Sequence, residues 1–329
     1  MIISRTPFRI SFFGGGTDFP DWYLKENGKV ISTTINKYSY ISARYLPPFF
    51  KYKYRFRYFL KEEVKKISQI KHPSIRETLK YLRTKGDLEL VHHADLPAQS
   101  GLGASSSFTV GLINSLVALE GKRISKKNLA EKAIEIEQKR IKEIVGSQDQ
   151  YAAAFGGFNI FNFSKKNIEV NAVPSNNNNL KNLEKCIFLV FTGYPRSAQL
   201  IERSKIKNIN KNMKFLHNIS KITDKAEKKL FTSKNILSDF SELLDEYWWY
   251  KKKLSSKVTN KKIDDLIKLG ISNGAYSAKI VGAGGGGFLM FLIQPKNRKK
   301  FLEIFKSKII VPIKFENSGS QIIYYQEPQ

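Results

Sequence analysis

Three glycine clusters constrain this chain more than any other feature: Gly14-Gly15-Gly16, Gly101-Leu102-Gly103, and the run from Gly282 to Gly287 broken only by Ala283. Each stands where a strand-like run ends. Glycine adopts backbone conformations closed to other residues and lets main chain approach a ligand or another loop. Strand candidates are 2–13, 29–45, 87–94, 159–163, 186–191, 278–281, 288–293 and 321–325. Helical periodicity falls at 74–84, 105–120, 126–144, 198–231, 236–255, 261–273 and 297–306. Such alternation predicts a mixed α+β fold, and 329 residues suffice for two domains. The polar stretch 162–183, with Pro174 and four consecutive asparagines, is the natural boundary, giving domains 1–165 and 166–329.

The middle cluster is the most informative. Asp95-Leu96-Pro97-Ala98-Gln99-Ser100-Gly101-Leu102-Gly103-Ala104-Ser105-Ser106-Ser107 follows a strand pattern and opens a helix. Glycines before a helix N-terminus let backbone N–H groups approach an anion, and the helix dipole adds to the attraction. The serines can cap the helix or reach a phosphate-bound cation. A capped helix after a turn accounts for one serine, not for three serines and two glycines. No Gly-Lys-Ser/Thr occurs, so this is not a Walker A loop. Gly282–Gly287 does fit G-x-G-x-x-G, yet a strand follows it where a dinucleotide-binding fold needs a helix, and the next acid is Glu303. A nicotinamide enzyme is therefore disfavoured. In the first cluster, Thr17 and Asp18 follow the glycine turn directly, and Asp18 is either a turn residue or a ligand for sugar hydroxyls.

One carboxylate sits on the wrong face of its helix. In 126–144 the apolar stripe is Ala130, Ala133, Ile134, Ile141 and Ile144, and helical spacing puts Glu137 in its middle. Glu135 lies instead among Glu131, Gln138, Lys139 and Lys142 on a solvated face. A carboxylate in an apolar stripe is costly unless it pairs with a cation or binds a metal. Twelve residues on, Asp149 either caps a short helix or orients and deprotonates an attacking hydroxyl.

Lys+Arg 56 against Asp+Glu 29 gives a net charge of +27, which raises nucleic acid, a membrane surface or an acidic substrate as partners. The abundance of lysine, asparagine and isoleucine along the whole chain favours compositional drift. In 51–59 basic and aromatic residues interleave, and strict alternation predicts a strand with rings inward rather than a base-stacking surface. The single Cys186, in an apolar run, reads as a buried thiol, and the His and Cys residues lack zinc-ligand spacing. The N-terminus has no secretory pattern and apolar runs stop near six residues, so a soluble, cytoplasmic protein is expected.

Taken together, these motifs resemble those of the GHMP superfamily of small-molecule kinases, in order and along nearly the whole chain. Thr6–Asp18 is similar to the N-terminal substrate motif, Pro97–Ser107 to the P-x-x-x-G-L-G-S-S-A loop, and Ala278–Gly287 to the K-x-x-G-x-G-G-G-G motif. The resemblance implies a two-domain fold, an N-terminal ribosomal-S5-like domain and a C-terminal ferredoxin-like domain, with ATP, Mg²⁺ and substrate between them. It implies that Pro97, Ser100, Gly101, Leu102, Gly103, Ala104, Ser105, Ser106 and Ser107 bind the nucleotide. Ser105 and Glu137 would hold Mg²⁺, Asp149 would be the catalytic acid, and Arg9 the basic residue beside it. Ala104 replaces the first loop serine of the family. Gly14, Gly15, Gly16, Thr17 and Asp18, with Gly284, Gly285 and Gly286, would meet the substrate.

Galactokinases carry Glu-His where Gly15 and Gly16 stand, and fucokinases, though similar at Thr192–Arg196, usually place tryptophan at Gly16. The runs Gly14–Pro20 and Gly146–Gly157 are most similar to D-glycero-α-D-manno-heptose 7-phosphate kinases. These phosphorylate the anomeric hydroxyl to give the 1,7-bisphosphate in nucleotide-activated heptose synthesis. An L-fucokinase-like or other sugar 1-kinase is the alternative. The substrate phosphate would then meet Arg196 and His93. The partners expected are ATP and a sugar phosphate rather than nucleic acid or membrane, with a homodimer left open.

Overall fold

The computed structural model describes residues 1–193, 198–207 and 209–327. Strand β1 (Ile2–Phe13) leads through the first glycine turn to helix α1 (Pro20–Glu26). Strand β2 (Gly28–Tyr45) then runs back antiparallel along nearly all of β1. A small hairpin of β3 (Tyr54–Arg57) and β4 (Lys61–Val64) follows, then helix α2 (Pro73–Leu82) and strand β5 (Leu88–Ala94). Helices α3 (Ala104–Leu119), α4 (Lys126–Ile134) and α5 (Gln148–Phe155) precede the hairpin β6 (Phe158–Phe163) and β7 (Ile168–Ala172).

Helix α6 (Asn178–Cys186) and strand β8 (Ile187–Phe191) come next, followed by helices α7 (Ala198–Lys207), α8 (Ile209–Thr232), α9 (Ile236–Lys253) and α10 (Lys261–Ser272). Strands β9 (Ala275–Ile280) and β10 (Phe288–Ile293) flank the third glycine cluster, and helix α11 (Arg298–Ile304) follows. Short strands β11 (Ile310–Val311) and β12 (Phe315–Glu316) and the longer β13 (Gln321–Tyr325) end the described chain.

The strands make two sheets. One holds β1 to β7 with β12 and β13; the other has the order β11-β8-β10-β9. Along one edge β2 pairs in turn with β6, β12 and β5, so it organises the larger sheet. Helices pack on β1 from both sides, α3 and α5 among them, and α8 and α9 besides. Double cover is why Phe8 to Phe13 is continuously buried, Arg9 included. The α+β class expected from the sequence is the one found.

Several expectations change in detail. The helix of 126–144 runs only to Ile134 and continues as a π-helical turn over Glu135–Arg140, leaving Ile141 and Ile144 outside it. Residues 148–155 form a helix whose N-cap is Ser147, so Asp149 lies in its first turn rather than capping it. The asparagine run starts α6, with the Asn177 side chain accepting from the N–H groups of Asn179 and Leu180. The 165/166 division falls inside the β6–β7 hairpin, and β12 and β13 return to the first sheet from the far end of the chain. In 51–59 only Tyr54–Arg57 is strand, with Phe56 buried and Arg57 exposed.

The two sheets meet at the glycine turns. Gly287 (φ +84°) lies so close to the middle loop that a Cβ there would stand 2.2 Å from the Ser100 carbonyl oxygen. Phe288 N–H donates to that same oxygen at 3.2 Å. Gly287→Ala combines a left-handed backbone with this overlap, so it is expected to lower stability by ~2 kcal/mol or more, read by thermal unfolding. A melting temperature equal to the parent's would show that the loops separate freely.

Candidate active site

All three glycine clusters contribute to one cleft of about 450 Å³. Gly15, Gly16 and Asp18 enter it from the first cluster, Ser100 to Gly101 and Gly103 to Ser106 from the second, Gly282 and Ala283 from the third. The start of α3 opens onto this cleft. Its N-cap is Gly103 (φ +76°), with no side chain capping the first turn, so the backbone N–H groups there are not consumed by a serine.

The serines serve elsewhere. Ser106 Oγ donates to Glu137 Oε2 at 2.9 Å, and Ser107 Oγ donates to the Pro7 carbonyl at 2.8 Å. Ser105 is exposed at the cleft, so the hydroxyl brought to Glu137 is that of Ser106, one residue later than expected. Glu137 itself is fully buried, as its helical face required, but inside the π-helical turn. Such turns re-aim side chains within a helix. Ser106 and Gln150 donate to Glu137, the Thr109 hydroxyl also lies close enough to favour its charged form, and among the described residues no cation pairs with it. Oε1 has no partner among the described residues. Burial pushes this carboxyl up to about 7, against the hydrogen bonds that favour its charged form.

Arg9 and Asp149 face each other as a two-point pair. Arg9 Nε donates to Asp149 Oδ1 at 2.7 Å and Nη2 to Oδ2 at 2.8 Å. Arg9 Nη1 also donates to the Gly101 carbonyl at 2.6 Å, so the guanidinium ties α5 to the backbone of the second glycine loop. Asp149 stays partly open to the cleft, its side chain 24% exposed. Asp18, by contrast, is buried; it accepts from Gly16 N–H at 3.0 Å and from Gln148 Nε2 at 2.9 Å. Burial raises its pKa, with the charges of Asp149 and Glu202 adding. A Cβ at Gly146 would stand 1.9 Å from Asp18 Oδ2, so only glycine fits there.

The second half of the chain brings residues that spacing alone did not single out. Lys279 is buried on β9; its Nζ donates to the Ser11 and Phe12 carbonyls at 2.7 and 2.6 Å and lies over the Tyr247 ring. Burial drives its pKa well below the usual lysine value. Lys251 Nζ donates to the Gly282 carbonyl at 2.6 Å, and Lys205 Nζ to Ala283 at 2.9 Å and to Glu202 at 3.1 Å. Lys205, Lys251, Glu202 and Tyr247 all line the cleft. A lysine in the apolar run of β9 was the one available signal.

Other expected residues lie behind or away from the cleft. Gly14 packs on β2, where a Cβ would overlap the Lys29 carbonyl, and Thr17 Oγ1 donates to the Gly14 and Lys29 carbonyls. Thr17 thus shapes the turn. Leu102 is core, and Pro97 and Ser107 do not line the cleft. Gly284 and Gly285 press against Val258 and Ile201, and neither they nor Gly286 is part of the cleft wall. His93 is exposed on β5, away from the cleft lining, and Arg196 lies outside the described residues.

Both halves of this arrangement match one family. The model for the GHMP kinases N terminal domain matches residues 71–157, and that for GHMP kinases C terminal matches 232–309. The chain belongs to the GHMP kinases. A D-glycero-alpha-D-manno-heptose 7-phosphate kinase of Campylobacter jejuni is 30% identical over 320 residues, 93% of this chain and 94% of that protein. A mevalonate kinase of Methanocaldococcus jannaschii is 27% identical over 70% of each chain. Among solved structures, a D-glycero-D-manno-heptose 1-phosphate kinase from Bacteroides thetaiotaomicron shares the fold, with a TM-score of 0.81 and 22% identity over 99% of this chain and 100% of that one.

The Glu137 carboxyl gives a pH-dependent stability. Its raised pKa means the folded protein keeps a proton that the unfolded chain has already lost, so the group destabilises the fold increasingly from the ordinary glutamate range up to about 7. In metal-free protein, Glu137→Gln is expected to melt higher than the parent at about pH 8, with the gap closing towards about pH 5. Thermal unfolding across that range checks it; a gap that stays constant would remove the titration.

Proposed function

We propose that this chain is an ATP-dependent sugar kinase that phosphorylates the anomeric hydroxyl of D-glycero-α-D-manno-heptose 7-phosphate to the 1,7-bisphosphate. The observation that carries the kinase chemistry is the Arg9–Asp149 pair, set at the cleft and hydrogen-bonded to the glycine loop that opens α3. The heptose is supported by the likeness to the Campylobacter jejuni enzyme and by the buried acid Asp18 beside Gly15 and Gly16.

In this reading the backbone of Gly101–Ser106 receives the ATP phosphates at the uncapped start of α3. Asp149 accepts the proton of the attacking hydroxyl, while a new O–P bond forms and the bond to the leaving diphosphate breaks. Arg9 holds Asp149 in place by the two-point contact, and it offsets negative charge as the hydroxyl deprotonates. Asp18, fixed by Gln148 and the Gly16 amide, accepts from sugar hydroxyls.

The donor set also suits Mg²⁺. Glu137 has one buried oxygen unpartnered among the described residues and the Ser106 hydroxyl on the other, a pair of hard oxygen ligands beside the phosphate loop, with Ser105 exposed at the same turn. When bound, Mg²⁺ neutralises phosphate charge at transfer. Arg196 is kept as the residue that meets the substrate's own phosphate.

Coupled-enzyme assays on a sugar panel, with and without a terminal phosphate, test the assignment. Turnover confined to the heptose 7-phosphate is expected; turnover of L-fucose instead would move the chain to the fucokinases. Asp149→Asn is expected to cut kcat roughly a hundred- to ten-thousand-fold while calorimetry still shows ATP and sugar binding. Near-normal turnover would end the role of Asp149. Arg196→Ala is expected to weaken binding of the phosphorylated sugar, read by calorimetry, far more than binding of its dephosphorylated analogue.

A further inference from the structure

We infer that Glu202 is a specificity-determining residue of this cleft, its free carboxylate oxygen accepting a hydroxyl of a polyol substrate. The inference rests on the sugar-kinase reading above and states how helix α7 takes part in recognition.

Glu202 lines the same cleft as the Arg9–Asp149 pair, with its side chain only 14% exposed. Lys205, one turn on, donates to Oε1 at 3.1 Å and is itself tied to the Ala283 carbonyl. That contact fixes the carboxylate and balances its charge. Oε2 is shielded from solvent and has no hydrogen-bond partner among the described residues. A buried acceptor without a donor is costly, more so when charged, and an orphan in a cleft marks where a ligand supplies the donor.

Oε2 is not isolated in this respect. Gln148 Oε1, Ser11 Oγ and Ser100 Oγ also lack partners among the described residues, and all three residues line this cleft. Glu202 Oε2 and Gln148 Oε1 accept only. A ligand that satisfies them must carry several O–H or N–H groups, as a polyol does. Glu202 and Asp18 line the same cleft, and the carboxylate oxygens of both are acceptors for hydroxyl donors. Glu202 thereby reads a substrate hydroxyl from the C-terminal half of the chain, apart from Asp149.

The test is steady-state kinetics on the full chain with Glu202→Gln and Glu202→Ala, using the heptose 7-phosphate and its monodeoxy analogues. The KM for the sugar is expected to rise about tenfold or more in Glu202→Ala, while the KM for ATP and the melting temperature stay near the parent values. For the analogue that lacks the hydroxyl read by Glu202, parent and variant are expected to converge. Glu202→Gln, which keeps shape and loses charge, is expected to fall between them. An unchanged sugar KM, or an equal loss on every analogue and on ATP, overturns the inference while leaving the kinase assignment standing. If the parent turns over no sugar of the panel, the assignment itself fails, and the inference with it.

Discussion

The Arg9 guanidinium is the contact on which the rest of the site depends. It lies on a strand buried from both sides, and its donors go to two Asp149 oxygens and to the Gly101 carbonyl. A buried cation must be compensated, and losing one partner leaves the other charge uncompensated in a low-dielectric space. Three segments far apart in sequence are therefore held in one geometry: β1, the second glycine loop and the start of α5. Arg9 N–H donating to the Leu102 carbonyl at 2.9 Å reinforces the link through the main chain. Lys279 performs a related task from the second sheet, binding the carbonyls at the end of β1.

Around this pair the polar groups divide into those already satisfied and those left for a ligand. Thr17, Ser107 and Lys279 spend their hydrogen bonds on backbone carbonyls and so build the loops. Glu137, Gln148 and Glu202 each keep an oxygen without a partner among the described residues. The same division explains why a chain of net charge +27 has a site in which carboxylates are prominent. The site's cations, Arg9, Lys205 and Lys251, are tied down by carbonyls and carboxylates, while the remaining excess is a property of the surface that favours approach of anions.

Legibility differed with the range of the interaction involved. β1, β10 and β13 have the bounds that hydrophobic patterning predicts, and Glu137 is buried as its helical face requires. Yet the helix on which that argument rests is shorter than its pattern, because the backbone loosens into a π-helical turn at Glu135. α5 was foreseen only as a short helix that Asp149 could cap, whereas Ser147 stands at its N-cap, and α6 was missed since an asparagine run reads as linker until Asn177, its second residue, caps a helix.

The sequence by itself determined the class of fold, the three glycine clusters and the burial of Glu137, which follow from local periodicity and residue type. Asp18 and Asp149 stood out with a structural reading left open, and Arg9, like the roles given to all four, came from the resemblance of the motifs to those of the GHMP kinases. Only the tertiary structure decided that Ser106 rather than Ser105 meets Glu137, and that Gly282 and Ala283 rather than Gly284 to Gly286 line the cleft. It alone brought Glu202, Lys205, Tyr247 and Lys251 to the same space. Spacing along a helix or strand fixes which face a side chain shares with its neighbours. Which distant face it meets depends on sheet register and helix docking, set by the packing of the whole core.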